Sequence, residues 1–353
     1  MTFTLGAIRW DAQWSRAAGA PALVEEQTLS QPDWQHMAAP HAVNVRADRI
    51  QWDVTQARMD TEIGYANALG ANFYWAFLMY STGLADAPTS VGMDGALDLY
   101  ISSSAKGTLK WCMIQQPANM GSTGDFTDEV TTMTALMVRS DYKRVLTDRP
   151  LLYIYAPSAA VGVNWSGNAA FATMITALRA AVTGAGAGDP YIVTMQTFGG
   201  TAAEAFRVAV GADAVTLYAT GAQKRNARPY SELATYAATF WTDMNTAAAQ
   251  VPLAMSGWDR RPREARPGPW EPSYLPKMGS TGWYERASNA ELAAHIAALK
   301  AFVAANPTDC PSETALVYSW NEFSEGGSPL CPTRADVLAG THTARLAAVA
   351  GAI

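Results

Sequence analysis

The chain has 353 residues, of which 49% are hydrophobic and only 16% charged, with 25 Lys+Arg against 31 Asp+Glu and a formal net charge of −6. Disorder is excluded, because a disordered chain needs high charge and few aromatics. The acidic balance argues against a nucleic-acid partner, since phosphate binding wants a basic face. No apolar run approaches the roughly 20 residues of a membrane span, so no membrane partner is expected.

Residues 1–5 show no basic segment followed by a long apolar one, so no signal peptide is read, and the chain is expected in the cytoplasm unless a leader has been removed. From there, short apolar runs alternate with helical patterns to the end of the chain. Strands are predicted at 4–10, 72–79, 109–115, 150–155, 191–196, 214–218, 252–257 and 314–320. Helices are predicted around 56–69, 94–105, 127–146, 169–182, 201–210 and 335–349. Two more follow from one-face spacing: Leu233, Ala237, Phe240 and Met244, then Leu292, Ile296, Leu299 and Val303. Eight strands alternating with helices predict an α/β fold, a single (β/α)8 TIM barrel spanning residues 1–353 as one domain.

The loops from strand to helix are long after strand one (11–55) and strand seven (258–287). In barrels these loops form the functional face. The glycine-rich run 184–188 precedes a strand instead of following one, so it reads as a connection and not a phosphate loop.

Three cysteines are too few for a disulfide framework or a zinc ribbon. Cys112 reads as a buried small hydrophobe, and the pair Cys310 and Cys331, flanking strand eight, leaves a bridge open. The four histidines share no metal-ligand spacing, and there is no HExxH, no G-x-S-x-G elbow and no Walker loop. His295 and His342 are expected on exterior helix surfaces, while His36 and His41 lie in the first long loop, within reach of a ligand.

The end of strand eight stands out. An apolar run passes into Trp320-Asn321-Glu322-Phe323-Ser324-Glu325 and then a glycine pair. Two carboxylates three residues apart, where a strand leaves a barrel top, can converge on one small volume. Glycosidic cleavage needs such a pair, one to protonate the leaving oxygen and one to act at the sugar. Two solvated loop glutamates are the bland alternative. Other strand ends carry groups suited to sugars, whose apolar faces stack on rings and whose hydroxyls want polar partners. These are Trp10 and Asp11, Trp75, Gln116, Tyr155, Gln196, Tyr218, and Trp258 with Asp259, joined by Tyr80; Asn321 sits beside the first glutamate, and Trp111 and Tyr153 read as core.

These residues resemble a known family. Residues 320–327 are similar to the Asn-Glu-Trp-x-Glu-Gly signature of glycoside hydrolase family 99, the endo-α-mannosidases, and of barrel-shaped relatives linked to polysaccharide assembly. The stretch from Met59 to Phe77 resembles the same group's first helix and second strand, and Gly257-Trp258-Asp259-Arg260-Arg261-Pro262-Arg263 resembles the relatives' strand-seven motif, which adds Arg263 to the candidate binding residues. Phe323 and Ser324 stand where the family has Trp and His, and Arg9-Trp10-Asp11 where it has paired tyrosines.

The resemblance implies a retaining glycoside hydrolase without a glycosyl-enzyme bond. Glu322 would be the base on the sugar 2-hydroxyl, and Glu325 the acid and then the base that activates water. Direct nucleophilic attack and inversion remain open from the residues themselves, and none of the three needs a metal or an organic cofactor. The expected function is cleavage of a glycosidic bond in a poly- or oligosaccharide. The rivals are a non-hydrolytic glycan-binding or glycan-modifying protein of polysaccharide biosynthesis, and a uronate lyase. Arg260, Arg261, Arg263 and Arg266 suit an anionic sugar or, equally, local pairing with Glu264 or Glu271.

Overall fold

The computed structural model describes the chain except residues 1, 12–13, 15–27, 47–48, 53, 80–94, 157–160, 163, 197–199, 222–226, 245–248 and 266–281. Tyr80, Arg266 and Glu271 therefore lie outside the described residues. The eight predicted strands are present: β1 Thr4–Arg9, β2 Phe73–Leu78, β3 Lys110–Gln115, β4 Arg149–Tyr155, β5 Tyr191–Gln196, β6 Ala214–Leu217, β7 Leu253–Met255 and β8 Thr314–Tyr318. All pair in parallel with their neighbours, and β1 pairs with both β2 and β8. The ring closes through the segment that leads into β7. Ala249 and Gln250 pair with Ala214 and Val215 of β6, and three residues later Leu253 pairs with Leu316 of β8. Pro252, which has no N–H for a ladder, sits where the segment changes partners, and its carbonyl accepts the Leu316 N–H at 2.9 Å.

The fold is thus the expected (β/α)8 barrel, with a helical layer outside. Its principal helices are α1 Gln56–Asn67, α2 Gly95–Ser102, α3 Thr127–Met137, α4 Asn168–Gly184, α5 Gly200–Val210, α6 Tyr230–Asp243, α7 Arg261–Ala265, α8 Asn289–Ala305, α9 Arg334–Leu338 and α10 His342–Ala352. α8 shows how sequence sets an element. Ser288 and Glu291 cap its start reciprocally, and Leu292, Ile296, Leu299 and Val303 form its buried stripe as predicted. His295 lies in that stripe and is buried, stacked on Trp241 and bonded to the Tyr230 hydroxyl at 2.9 Å, so it is not the surface residue expected.

Two helix predictions change. The pattern at 127–146 stops at Met137, because the chain turns to form a short strand, Arg144–Val145, antiparallel to β4. The pattern at 335–349 is two helices, divided at Gly340, whose φ of 68° is left-handed. The first long loop holds an antiparallel ribbon, Ala42–Arg46 with Arg49–Trp52, that the apolar pattern did not show. Cys112, Cys310 and Cys331 are all free and buried, so the open bridge is not formed.

Inside the barrel, the Tyr74 hydroxyl meets the Tyr153 hydroxyl at 2.9 Å and the Thr314 hydroxyl at 3.0 Å, crossing from β2 to β4 and β8. The ring of Tyr74 occupies the space a side chain at Gly6 would need: a Cβ there would fall 2.3 Å from it. Alternation then fixes the other face. Trp75 and Phe77 point outward, packed on Tyr100 of α2. Tyr318, on the same face of β8 as Thr314, points in, whereas Trp320, beyond the end of the strand, leaves the alternation and packs outward against Phe73 and Trp75.

Candidate active site

The carboxyl end of β8 turns sharply. The Glu322 carbonyl accepts the Gly326 N–H at 2.6 Å, and the Ser319 hydroxyl accepts the Glu322 N–H at 3.2 Å, so Glu322 and Glu325 sit on one tight loop. The loop after β7 lies directly against it. Asp259 N–H donates to the Glu325 carbonyl at 2.7 Å, and a Cβ on Gly257 would fall 2.4 Å from the Gly326 carbonyl oxygen. Glycine is required at this crossing because the two backbones touch.

The two glutamates are 2% and 7% exposed and share one polar cluster. The Tyr218 hydroxyl, just past the end of β6, donates a hydrogen bond to Glu322. The Tyr318 hydroxyl donates to Glu325 Oε1 at 2.5 Å. Arg263 Nη1 donates to Glu325 Oε2 at 2.7 Å, its Nε reaches the Ser324 hydroxyl at 2.7 Å, and its Nη2 lies 3.7 Å from Glu322 Oε2. Arg260 Nε stands 3.0 Å from Glu325 Oε2. Burial pushes the Glu325 carboxyl up, but Arg263, Arg260, the Tyr318 hydroxyl and a hydrogen bond with Glu322 outweigh it and hold the group below the usual carboxylate range. Burial and the two neighbouring glutamates drive the Tyr318 phenol well above its ordinary value, which keeps it a donor.

Several of the predicted residues lie at the same carboxyl ends of the strands, and two of them pack on the tyrosines of this cluster. Tyr155 stacks on Tyr218 with ring centroids 4.6 Å apart. Gln196 ends β5 with its amide nitrogen buried and unpaired. Trp258, half-buried, tilts against Tyr318 at 5.8 Å. Gln116, half-buried, leads from β3 into the turn Pro117–Asn119. Asp259 lies at the β7–β8 crossing, with its carboxylate held by Arg261 at 2.7 Å. Among the described residues, Arg260, Arg261 and Arg263 are thus occupied by the protein's own acids, which weakens the argument for an anionic sugar.

Other predicted residues lie elsewhere. Trp75 is fully buried in the outer layer, with the Arg9 guanidinium 4.0 Å above its ring, so it is core and not part of a cleft. Asp11 is 1% exposed and binds Arg9 at 2.7 Å; it belongs to an outer charge cluster with Glu62 and His41. His41 is therefore internal, while His36 is exposed. The Trp10 ring lies under Arg263 at 4.6 Å, and the Trp10 backbone N–H donates to Asn321 Oδ1 at 2.8 Å. Asn321 is fully buried and donates to Asp11 at 2.8 Å, so it fastens the β8 turn to the end of β1. As placed, Trp10, Asp11 and Asn321 support the site from behind.

Sequence reading missed Tyr318 and Ser324 as members of the cluster, and it assigned Arg260 to an anionic sugar or to Glu264 or Glu271, where the structure sets it on Glu325. Only the inward alternation of β8 singles out Tyr318, two residues from Leu316 on the same face. Among the described residues no group of acids, histidines and cysteines could hold a metal ion.

Comparison with solved structures follows the same lines. The family 99 endo-α-mannosidase from Bacteroides thetaiotaomicron aligns over 99% of this chain and 98% of its own, at 13% identity and a TM-score of 0.56. A second structure of a family 99 endo-α-mannosidase, in complex with bis-tris propane, aligns over 99% and 95%, at 14% identity and a TM-score of 0.57. In fold, the chain resembles a family 99 endo-α-mannosidase. A glycoside hydrolase-like protein gives the same TM-score of 0.57 at 14% identity, over 94% of this chain and 87% of that one. No family model and no curated protein matches the sequence. The likeness to the family 99 barrel therefore rests on backbone shape, and site chemistry has to be argued from the residues present.

Proposed function

We propose that the chain is a glycoside hydrolase that cleaves a bond in a poly- or oligosaccharide, with Glu322 and Glu325 as the reacting pair. The observation that carries this reading is the meeting of the two carboxyls in one hydrogen-bonded cluster at the carboxyl ends of the strands, where barrels place catalysis. The resemblance of the fold to glycoside hydrolases supports it. Arg263, which reaches Glu325 at 2.7 Å and Glu322 at 3.7 Å, keeps the two carboxyls close, and this favours retention, since inverting enzymes keep theirs roughly 6.5–9.5 Å apart to admit a water.

The division of labour differs from that implied by the family resemblance. A general acid needs a proton near neutral pH, and Arg260 and Arg263 oppose one on Glu325. Two neighbouring carboxyls do not both ionise readily, and Arg260 and Arg263, both paired with Glu325, favour the charge there. Glu322 then donates the proton to the leaving oxygen, and Glu325 acts as the anion at the sugar. Glu322, once deprotonated, activates the water of the second step. Tyr155, Gln196, Tyr218 and Trp258 are the proposed sugar contacts.

The test is incubation with a broad polysaccharide panel. Release of reducing sugar without the absorbance of an unsaturated uronate is the expected result. Unsaturated product indicates a lyase, and binding without turnover indicates a glycan-binding protein.

A further inference from the structure

A second feature lies outside the barrel, at the rim between the ends of β2 and β3 and the first turns of α3. A groove of about 240 Å³ opens there. Its polar lining, among the described residues, includes Gln115 and Asn119 from the sheet side and Asp128 and Glu129 from the helix. Its apolar wall is Met79, Met133 and Leu136.

Gln115 and Asn119 are each more than nine-tenths buried, and Gln115 Oε1 and Asn119 Oδ1 have no hydrogen-bond partner. The orientation of Asn119 is fixed, because its amide nitrogen donates to the Met79 carbonyl at 3.2 Å. The Gln115 nitrogen faces the Met113 sulfur at 3.9 Å, which leaves its oxygen on the other side. A buried carbonyl without a donor is costly and rare in native proteins. Asp128 and Glu129 have an ordinary explanation, since acids favour the first turn of a helix. The two orphaned amide oxygens have none within the protein.

We propose that this groove binds a small organic cation, a primary ammonium carried on an apolar carbon body. An ammonium has three donors and no acceptor, which complements a lining of amide oxygens and carboxylates. Methionine and leucine walls suit the carbon body, with methionine adapting to its outline. A bare calcium ion fits worse, because it needs six to eight oxygens at about 2.3–2.6 Å and one side of the groove supplies none. The site is separate from Glu322 and Glu325 and does not depend on their role.

The experiment uses the intact protein with ¹³C-methyl methionine, with the Met79 and Met133 signals assigned through their leucine variants. Cyclohexylammonium is titrated as probe, with cyclohexanol as the neutral control and calcium chloride as the metal control. Saturable shifts at Met79 and Met133 are expected with the ammonium. Binding should weaken by about tenfold or more, the worth of one charge-assisted hydrogen bond, with cyclohexanol, in the Asp128→Asn/Glu129→Gln variant and in Gln115→Met. The melting temperature of Gln115→Met should not fall, because the variant removes an unpaired carbonyl. Equal binding of cyclohexanol, indifference to these substitutions, absence of any shift, or a calcium response at the same methyls that competes with the ammonium would each overturn the proposal.

Discussion

Two buried clusters of charge flank the end of β8, and they differ in what surrounds them. The outer one joins Arg9, Asp11, Glu62 and His41 between the sheet and α1, and the indole N–H of Trp320 donates to Glu62 at 3.1 Å. The inner one joins Glu322, Glu325, Arg260 and Arg263 with the phenols of Tyr218 and Tyr318. Both pair two carboxylates with cations, so buried charge alone does not distinguish a structural knot from a reacting site. Position does. The outer cluster is sealed under a helix, whereas the inner one lies on the barrel's inner face, at the carboxyl ends of the strands, beside the half-buried rings of Tyr155 and Trp258.

The contrast predicts opposite consequences for similar substitutions. Glu322→Gln and Glu325→Gln should each lose on the order of 10²–10⁴ in kcat on a natural glycan, while circular dichroism still shows the parent's fold. Glu62→Gln should instead leave Arg9 underpaired in a sealed environment and lower stability by about 3–5 kcal/mol in urea unfolding. Any residual folded Glu62→Gln protein should retain catalysis. If Glu62→Gln were stable and inactive, the assignment of the two clusters would be reversed.

Acid adds a third region to the comparison. His295, buried behind β7, has its pKa lowered to about 4 from 6.5, first by burial, with a hydrogen bond to the Met255 backbone opposing. The neutral ring is the one that fits. Its stability contribution is therefore complete above pH 6.5 and lost as pH falls toward 4, on the order of 3 kcal/mol at one pKa unit per 1.36 kcal/mol. Unfolding of the parent and His295→Phe between pH 7 and pH 4 should show the slope in the parent and a flatter profile in the variant.

The smallest effect concerns the rim. Trp258→Ala should lower kcat/KM by about tenfold, the worth of one stacked ring, and leave the melting temperature nearly unchanged. A large fall in Tm with little kinetic change would make Trp258 a packing residue.

The eight strands were legible because each is a short, nearly continuous apolar run between turn residues. The same continuity hid which residues face inward. A barrel strand is buried on both faces, so Trp75 and Asp11 looked like cleft residues when they pack outward, and Tyr318 carried no mark within its apolar run that it holds Glu325. Glu322 and Glu325 were legible as a pair from their spacing and the glycines behind them. Their electrical difference was not, because Arg260 and Arg263 arrive from a loop 62 residues away in the case of Arg263 and Glu325. The ribbon at Ala42–Arg46 and Arg49–Trp52 was missed because its apolar alternation is interrupted by Asn, Arg and Gln.

The central claim is that the two arginines make Glu325 the anion and leave Glu322 to give the proton. Single-turnover cleavage by Glu322→Gln and Glu325→Gln should be measured on a natural glycan and on the matching glycosyl fluoride, whose leaving group departs without an acid. The account predicts that Glu322→Gln is inactive on the glycan and recovers on the fluoride, while Glu325→Gln is inactive on both. Recovery of Glu325→Gln instead, equal recovery of both, or full activity of either on the glycan would contradict it.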